Sequence, residues 1–140
     1  MITYATTTQD INWPEVGDVL YRAPLGKRRN PDQLRSAFMA SYAVVFAFDD
    51  QTLIGMARAI SDGVYQAAVY DMVVLPEYQG QGVGREILNR LCDQLPVENT
   101  ILYAVPGREG FYSKCGFRKM RTAMAVLKAS MARPEAGYLE

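Results

Sequence analysis

One stretch, "DMVVLPEYQGQGVGREILNRL" (Asp71–Leu91), constrains the fold more than any other. An apolar, strand-like run ends in Pro76-Glu77-Tyr78, meets glycine at positions 80, 82 and 84, and only then becomes a helix. Each glycine costs backbone entropy when it is ordered, so closely spaced glycines weaken any regular element. Bare backbone must be needed there. The glycines fall at the head of a helix, where the first four N–H groups lack partners and about half a positive charge accumulates. Without Cβ atoms an anion can reach those groups directly, and Arg85 can add a cation at the mouth. The competing explanation is a glycine-rich left-handed turn that caps the helix and binds nothing. The strand, the Pro-Glu-Tyr turn, the glutamine and the amphipathic helix occur in order, which favours a phosphate cradle.

Two common cradles fail on spacing. No Gly-x-x-x-x-Gly-Lys-Ser/Thr string occurs. The dinucleotide pattern Gly-x-Gly-x-x-Gly also fails, because Gly80 and Gly82 are followed by Arg85 where it requires glycine.

Composition narrows the function classes. The chain has 140 residues, enough for one domain with its own core. Lys+Arg and Asp+Glu balance at 15 each, so the basic field that holds nucleic acid is missing. No apolar run reaches the length of a membrane span. The start, "MITYATTTQDINW", lacks the charged and apolar regions of a signal peptide. Cys92 and Cys115 make no disulfide framework, and a reduced, cytoplasmic setting is expected. With no histidine, a metal site is not expected, and Ser-His-Asp or Cys-His chemistry is ruled out. Any catalysis works without imidazole.

Periodicity predicts strands at Ile2–Thr6, Ala43–Phe48, Thr52–Ile60, Val64–Leu75, Thr100–Val105 and Ala123–Lys128. Helices are predicted over Pro14–Ala23, from Asn30-Pro31-Asp32 onward with Leu34, Ala37, Phe38 and Ser41 on one face, over Val83–Leu95, and over Glu109–Cys115. Asp62 in "SDG" is a turn residue, and the tail Ala129–Glu140 has no pattern and is expected to fray. The order β-α-α-β-β-β-α-β-α-β is a single mixed α/β domain spanning 1–140.

Gln79-Gly80-Gln81-Gly82-Val83-Gly84 fits Gln/Arg-x-x-Gly-x-Gly/Ala. Together with Val74-Leu75-Pro76-Glu77-Tyr78 it resembles the acetyl-CoA signature of the GNAT N-acetyltransferase superfamily. Downstream, "FYSKCGF" (Phe111–Phe117) resembles that superfamily's Phe-Tyr-x-Lys-x-Gly-Phe segment. Taken alone it could be an ordinary last helical turn, with Gly116 just past the end and Phe117 folding back. The resemblance covers roughly residues 43–128, and the preceding part matches in element order more than in motif.

The resemblance implies acetyl transfer from acetyl-CoA to a primary amine, by direct attack within a ternary complex. It implies a sheet whose central parallel strands splay, with the pantetheine arm inserted between them like an added strand. Backbone of Met72, Val73 and Val74 would then face the cofactor, one N–H acting on the acetyl carbonyl. Gln79, Gly80, Gln81, Gly82, Val83, Gly84 and Arg85 would hold the pyrophosphate, with Phe111, Tyr112 and Lys114 along the arm. Tyr112 is the expected general acid, the alternative being a buried structural tyrosine. Asp71 is a candidate base or amine binder, and a strand cap or a salt bridge to Arg58 is an equal alternative. Tyr21, Arg22, Leu25 and Arg58 are candidates for the acceptor wall. "GKRR" (Gly26–Arg29) could meet a phosphate or an acidic partner, with a solvated loop as the default. Glu77 is expected to face solvent. The acceptor is expected to be a small molecule, with a protein lysine or N-terminal amine, or a non-catalytic CoA-binding module, as alternatives. No metal, nucleic acid or membrane partner is expected, and a homodimer is left open.

Overall fold

Small and β-branched residues fill two adjacent runs, and these form the centre of a mixed sheet. In the computed structural model, which describes residues 1–24 and 26–140, five strands pair in the order β1 (Ile2–Ala5), β2 (Ala43–Asp49), β3 (Thr52–Ser61), β4 (Gln66–Val74) and β5 (Asn99–Ile101). The first three pairings are antiparallel and β4–β5 is parallel. The helices are α1 (Trp13–Arg22), α2 (Pro31–Met39), α3 (Val83–Cys92) and α4 (Glu109–Lys114). Residues Met1–Leu102 form one compact unit and Tyr103–Glu140 a second.

Caps set where the helices begin. Asn12 Oδ1 accepts the Glu15 N–H at 3.0 Å ahead of α1, and Asn30 Oδ1 accepts from Asp32 and Gln33 at 2.8 and 3.2 Å ahead of α2. Proline occupies the first turn of both, where its missing N–H costs nothing. Ala43–Ala47 of β2 are wholly buried because helices cover both faces of the sheet centre. On one face Phe46 meets Trp13 and Phe38, with ring centroids 6.2 and 5.4 Å away. On the other, α3 lies so close to β3 that a Cβ on Gly55 would sit 3.0 Å from Ile87 Cδ1 and 2.8 Å from the Val73 carbonyl oxygen. Ile87, Leu88 and Leu91 are buried there, which fixes the head of α3 beyond the end of β4.

Several expected boundaries move. The last expected strand, Ala123–Lys128, does not form, and Met124 and Val126 are 96% and 90% exposed. Alternation specifies a face, but a strand also needs a neighbour to accept its backbone hydrogen bonds. For the same reason the expected strand Thr100–Val105 shrinks to Asn99–Ile101. The long strand begins at Gln66 because Asp62 Oδ1 takes the N–H groups of Val64, Tyr65 and Gln66 at 2.8, 2.7 and 3.1 Å. That is the turn role expected of Asp62. Helix α3 ends at Cys92, short of Leu95, in tight turns closed by Gln94 and Leu95 N–H groups. The tail is not patternless: Ala129–Ala132 and Pro134–Ala136 are short 3-10 turns.

Candidate functional site

The edge of β4 is half paired. β5 pairs with it only at Gln66, Ala67 and Ala68, so Met72 and Val74 lie beyond the parallel pairing. Just past the last pair, two β4 residues stand opposite one on β3, because Arg58 pairs with Tyr70 and Met56 with Val73. Asp71 sits in this bulge with φ +54°, an unusual conformation for a residue with a side chain. A bulge bends its strand, which accounts for the short parallel pairing.

Strand geometry decides which backbone groups reach the open edge. The Leu75 N–H donates to the Ile54 carbonyl at 2.8 Å, and Val73 stands opposite Met56. Alternation therefore turns Val73 and Leu75 towards β3, and Met72 and Val74 away from it. The Val74 carbonyl accepts instead from Gln79 Nε2 at 3.0 Å. Of the three residues expected to offer backbone to a cofactor, Val73 is corrected: its own N–H and C=O belong to the β3 ladder.

Pro76–Tyr78 forms a 3-10 turn, after which Gly80 and Gly82 adopt φ of +78° and +85°. Gly82 is the N-cap of α3, and the first helical bond is Glu86 N–H to the Gly82 carbonyl at 3.1 Å. A Cβ built on Gly80 or Gly82 meets nothing within 4 Å. Neither glycine is demanded by protein packing; both satisfy a left-handed backbone and leave space in front of it. Gln81 braces the loop through Nε2 to the Glu77 carbonyl at 3.2 Å. Val83 is buried beneath, and Gly84 and Arg85 continue the first turn. A phosphate-bearing group fits this combination of open space, bare backbone and helix head.

Beside the edge lies an ion cluster. Asp71 Oδ2 accepts from Arg58 Nε at 2.7 Å, and Oδ1 faces Arg29 Nη2 at 2.9 Å, with the carboxylate side chain only 8% exposed. Burial alone would raise the Asp71 pKa. The hydrogen bonds and charges of Arg29 and Arg58 outweigh it and hold the carboxyl below the usual carboxylate range. Arg58 is itself held, its guanidinium 5.7 and 5.5 Å from the ring centroids of Phe38 and Tyr70 and its Nη1 3.4 Å from Ser41 Oγ. The salt bridge to Arg58 is the alternative expected for Asp71. Arg29 was not foreseen.

The "GKRR" loop is solvated at residues 26–28, as expected, and departs from that reading only at Arg29. Arg28 pairs with Asp18 and stacks 4.5 Å over the Tyr21 ring, and Arg29 reaches Asp71. Partners so distant in sequence leave no periodic signal. Of the acceptor-wall candidates, Tyr21 lies under Arg28, and Arg22 pairs with the exposed Glu77 at 3.2 Å. Leu25 lies outside the described residues.

In the second unit, α4 ends as its sequence suggests. Gly116, at φ +93°, donates to the Ser113 carbonyl and Phe117 to the Tyr112 carbonyl, at 3.2 and 3.0 Å. This fold-back puts the Phe117 ring 6.0 Å from that of Tyr112, with Phe111 5.1 Å away on another side. Lys114 lies in the exposed last turn. Burial, assisted by Cys115 and opposed by Arg108, pushes the Tyr112 phenol up to about 12.

A mixed five-stranded sheet whose fourth strand runs into a glycine loop at a helix head defines the class of α/β protein to which this chain belongs. The family model for the acetyltransferase (GNAT) domain matches residues 40–119, and the chain belongs to that family. It is 32% identical over 117 residues to GCN5-related N-acetyltransferase 1, chloroplastic, of Arabidopsis thaliana, covering 79% of this chain and 58% of that protein. Over 98 residues it is 41% identical to serotonin N-acetyltransferase 2, chloroplastic, of Oryza sativa subsp. japonica, covering 64% and 48%. The chain thus spans about half the length of these curated relatives. A probable acetyltransferase from Staphylococcus aureus shares the fold at TM-score 0.79 and 20% identity, over 93% of this chain and 99% of its own.

Proposed function

We propose that this chain transfers the acetyl group of acetyl-CoA to a primary amine of a small molecule, by direct attack in a ternary complex. The observation that carries the reading is the β4 edge beyond its short β5 pairing, leading into the left-handed Gly80–Gly82 loop at the head of α3. Acetyl-CoA supplies the thioester. Val74 and Met72 offer backbone to the pantetheine arm, and the Met72 N–H polarises the acetyl carbonyl as charge develops on its oxygen. Gln79–Arg85 hold the pyrophosphate at the helix head. The resemblance of Phe111–Phe117 to the family segment would give Phe111, Tyr112 and Lys114 to the arm, with Tyr112 as donor to the departing sulfur.

A phenol near 12 against a thiol near 8.5 makes complete proton transfer uphill by about 5 kcal/mol. Tyr112 therefore acts by hydrogen-bonding the thiolate as it forms, and the proton released by the acetylated nitrogen restores the balance. Asp71, with both oxygens engaged by arginines, is not the base. The acceptor attacks from its neutral fraction or passes its proton to water. Arg22, Tyr21 and Leu25 remain the proposed acceptor wall.

Incubation with acetyl-CoA and a mixed panel of small amines, with products read by mass spectrometry, tests this. Acetylated small amines support the reading. Acetylation confined to lysine or N-terminal amines of added peptides assigns a protein substrate instead, and acetyl-CoA binding without any product assigns a binding module.

A further inference from the structure

The bulge at Asp71 does more than interrupt a ladder: it sets which backbone groups face the open edge. Side chains and backbone groups alternate along a strand, so shifting the register by one residue exchanges the two sides. With two β4 residues opposite one on β3, Met72 and Val74 face out and Val73 faces in. Without the bulge the sides beyond it would swap. The Met72 N–H therefore keeps its aim only while the bulge keeps its place.

The backbone alone does not hold it there. Asp71 has φ +54° and a branched carboxylate on its Cβ, and strain of this kind persists only where the surroundings over-determine it. Both carboxylate oxygens are taken, Oδ1 by Arg29 at 2.9 Å and Oδ2 by Arg58 at 2.7 Å. Both arginines stand on anchored ground. Arg29 immediately precedes Asn30, whose side chain caps α2, and its carbonyl lies 3.6 Å from where a Cβ on Gly17 of α1 would sit. Arg58 is packed against Phe38 at the far end of α2 and Tyr70 on β4, within reach of Ser41 Oγ. The α1–α2 loop, the end of α2 and the middle of β3 thus converge on one carboxylate at the bulge.

We infer that Arg29 and Arg58 are positioning residues that act through Asp71 to lock the β4 bulge and so aim the Met72 N–H out of the sheet edge. The consequence for turnover rests on the acetyl-transfer reading; the lock itself does not. It also ties the α1–α2 loop to the strand proposed to hold the thioester, so a change at Arg29 is felt at Met72.

The test compares Arg29→Met, Arg29→Lys and Asp71→Asn with the parent. In the unliganded protein, Arg29→Met is expected to shift the backbone amide resonances of Met72 and Val74 and to speed hydrogen exchange at Met72, and Arg29→Lys to restore most of both. In turnover, Arg29→Met should lower kcat about tenfold, less than the ~10²–10³ for deleting an oxyanion donor outright, with KM for acetyl-CoA within about twofold. Asp71→Asn should lose a constant fraction of kcat from pH 6 to 9, because an aimed N–H does not titrate. Met72 resonances unmoved in Arg29→Met would overturn the lock. So would an Asp71→Asn defect that fades as pH rises, which marks a base. Addition of CoA to the parent separates the two readings: no thermal shift there defeats acetyl-CoA binding, while the Met72 amide still judges the lock.

Discussion

Replacing Gly82 by alanine isolates the idea on which the cofactor assignment stands. In the unliganded protein the new methyl group meets nothing within 4 Å, so the cost comes from backbone alone. An L-residue held at φ +85° costs about 1–2 kcal/mol, and loss of glycine's freedom in the unfolded chain returns roughly 0.4–1 kcal/mol. The net destabilisation is about 1 kcal/mol, or roughly 4 °C in Tm for a chain of this size. CoA at a hundred times its Kd should stabilise the parent by about 2.7 kcal/mol, raising Tm by roughly 10 °C. In Gly82→Ala the methyl stands where the pyrophosphate must come, so the same CoA concentration should give about 1.4 kcal/mol after a tenfold loss of affinity and about 0.4 after a hundredfold loss. Gly82→Asn separates strain from space. Asparagine tolerates the left-handed region, so the unliganded Tm should stay nearer the parent's while CoA is blocked at least as well. Differential scanning fluorimetry with and without CoA reads both numbers. A Gly82→Ala protein that keeps the whole CoA shift refutes the reasoning, as does a parent stabilised by ATP or NAD but not by CoA.

Further outcomes follow from the site. Tyr112→Phe keeps the ring between Phe111 and Phe117 and deletes the donor, so kcat should fall by ~10²-fold or more with CoA affinity nearly intact; unchanged single-turnover rates would leave Tyr112 a packing residue. Because the Asp71 carboxyl is held below its unfolded value of about 3.9, its contribution to stability is complete above that pH and is lost as pH falls through the lower folded value. Acid titration should accordingly show a smaller drop in stability below about pH 4 for Asp71→Asn than for the parent, and parallel curves would contradict the ion cluster. Asp62→Ala removes the acceptor of three N–H groups in the β3–β4 turn, and equilibrium unfolding should show a loss of about 1–2 kcal/mol; an unchanged unfolding curve would make that turn self-supporting.

Local chemistry made much of this protein readable from its residues. Asn12 with Pro14 and Asn30 with Pro31 marked helix starts because a cap acts within three residues of itself. The need for glycine at 80, 82 and 116 was legible as bare backbone and a helix stop, and the structure puts all three at positive φ, the left-handed turn weighed as the competing explanation for the first two. The fold-back of Phe117 onto Tyr112 was likewise local. Tertiary structure decided whatever needed a distant partner. Val73 was dropped from the exposed backbone by its pairing with Met56 and the bulge before it, and Ala123–Lys128, patterned as a strand, has no ladder to join. Arg29 in an apparently solvated loop closes on Asp71, the candidate base or amine binder, a contact between residues remote in sequence. Backbone conformation and capping are encoded in short windows, whereas strand pairing and buried ion pairs depend on which surfaces the fold brings together.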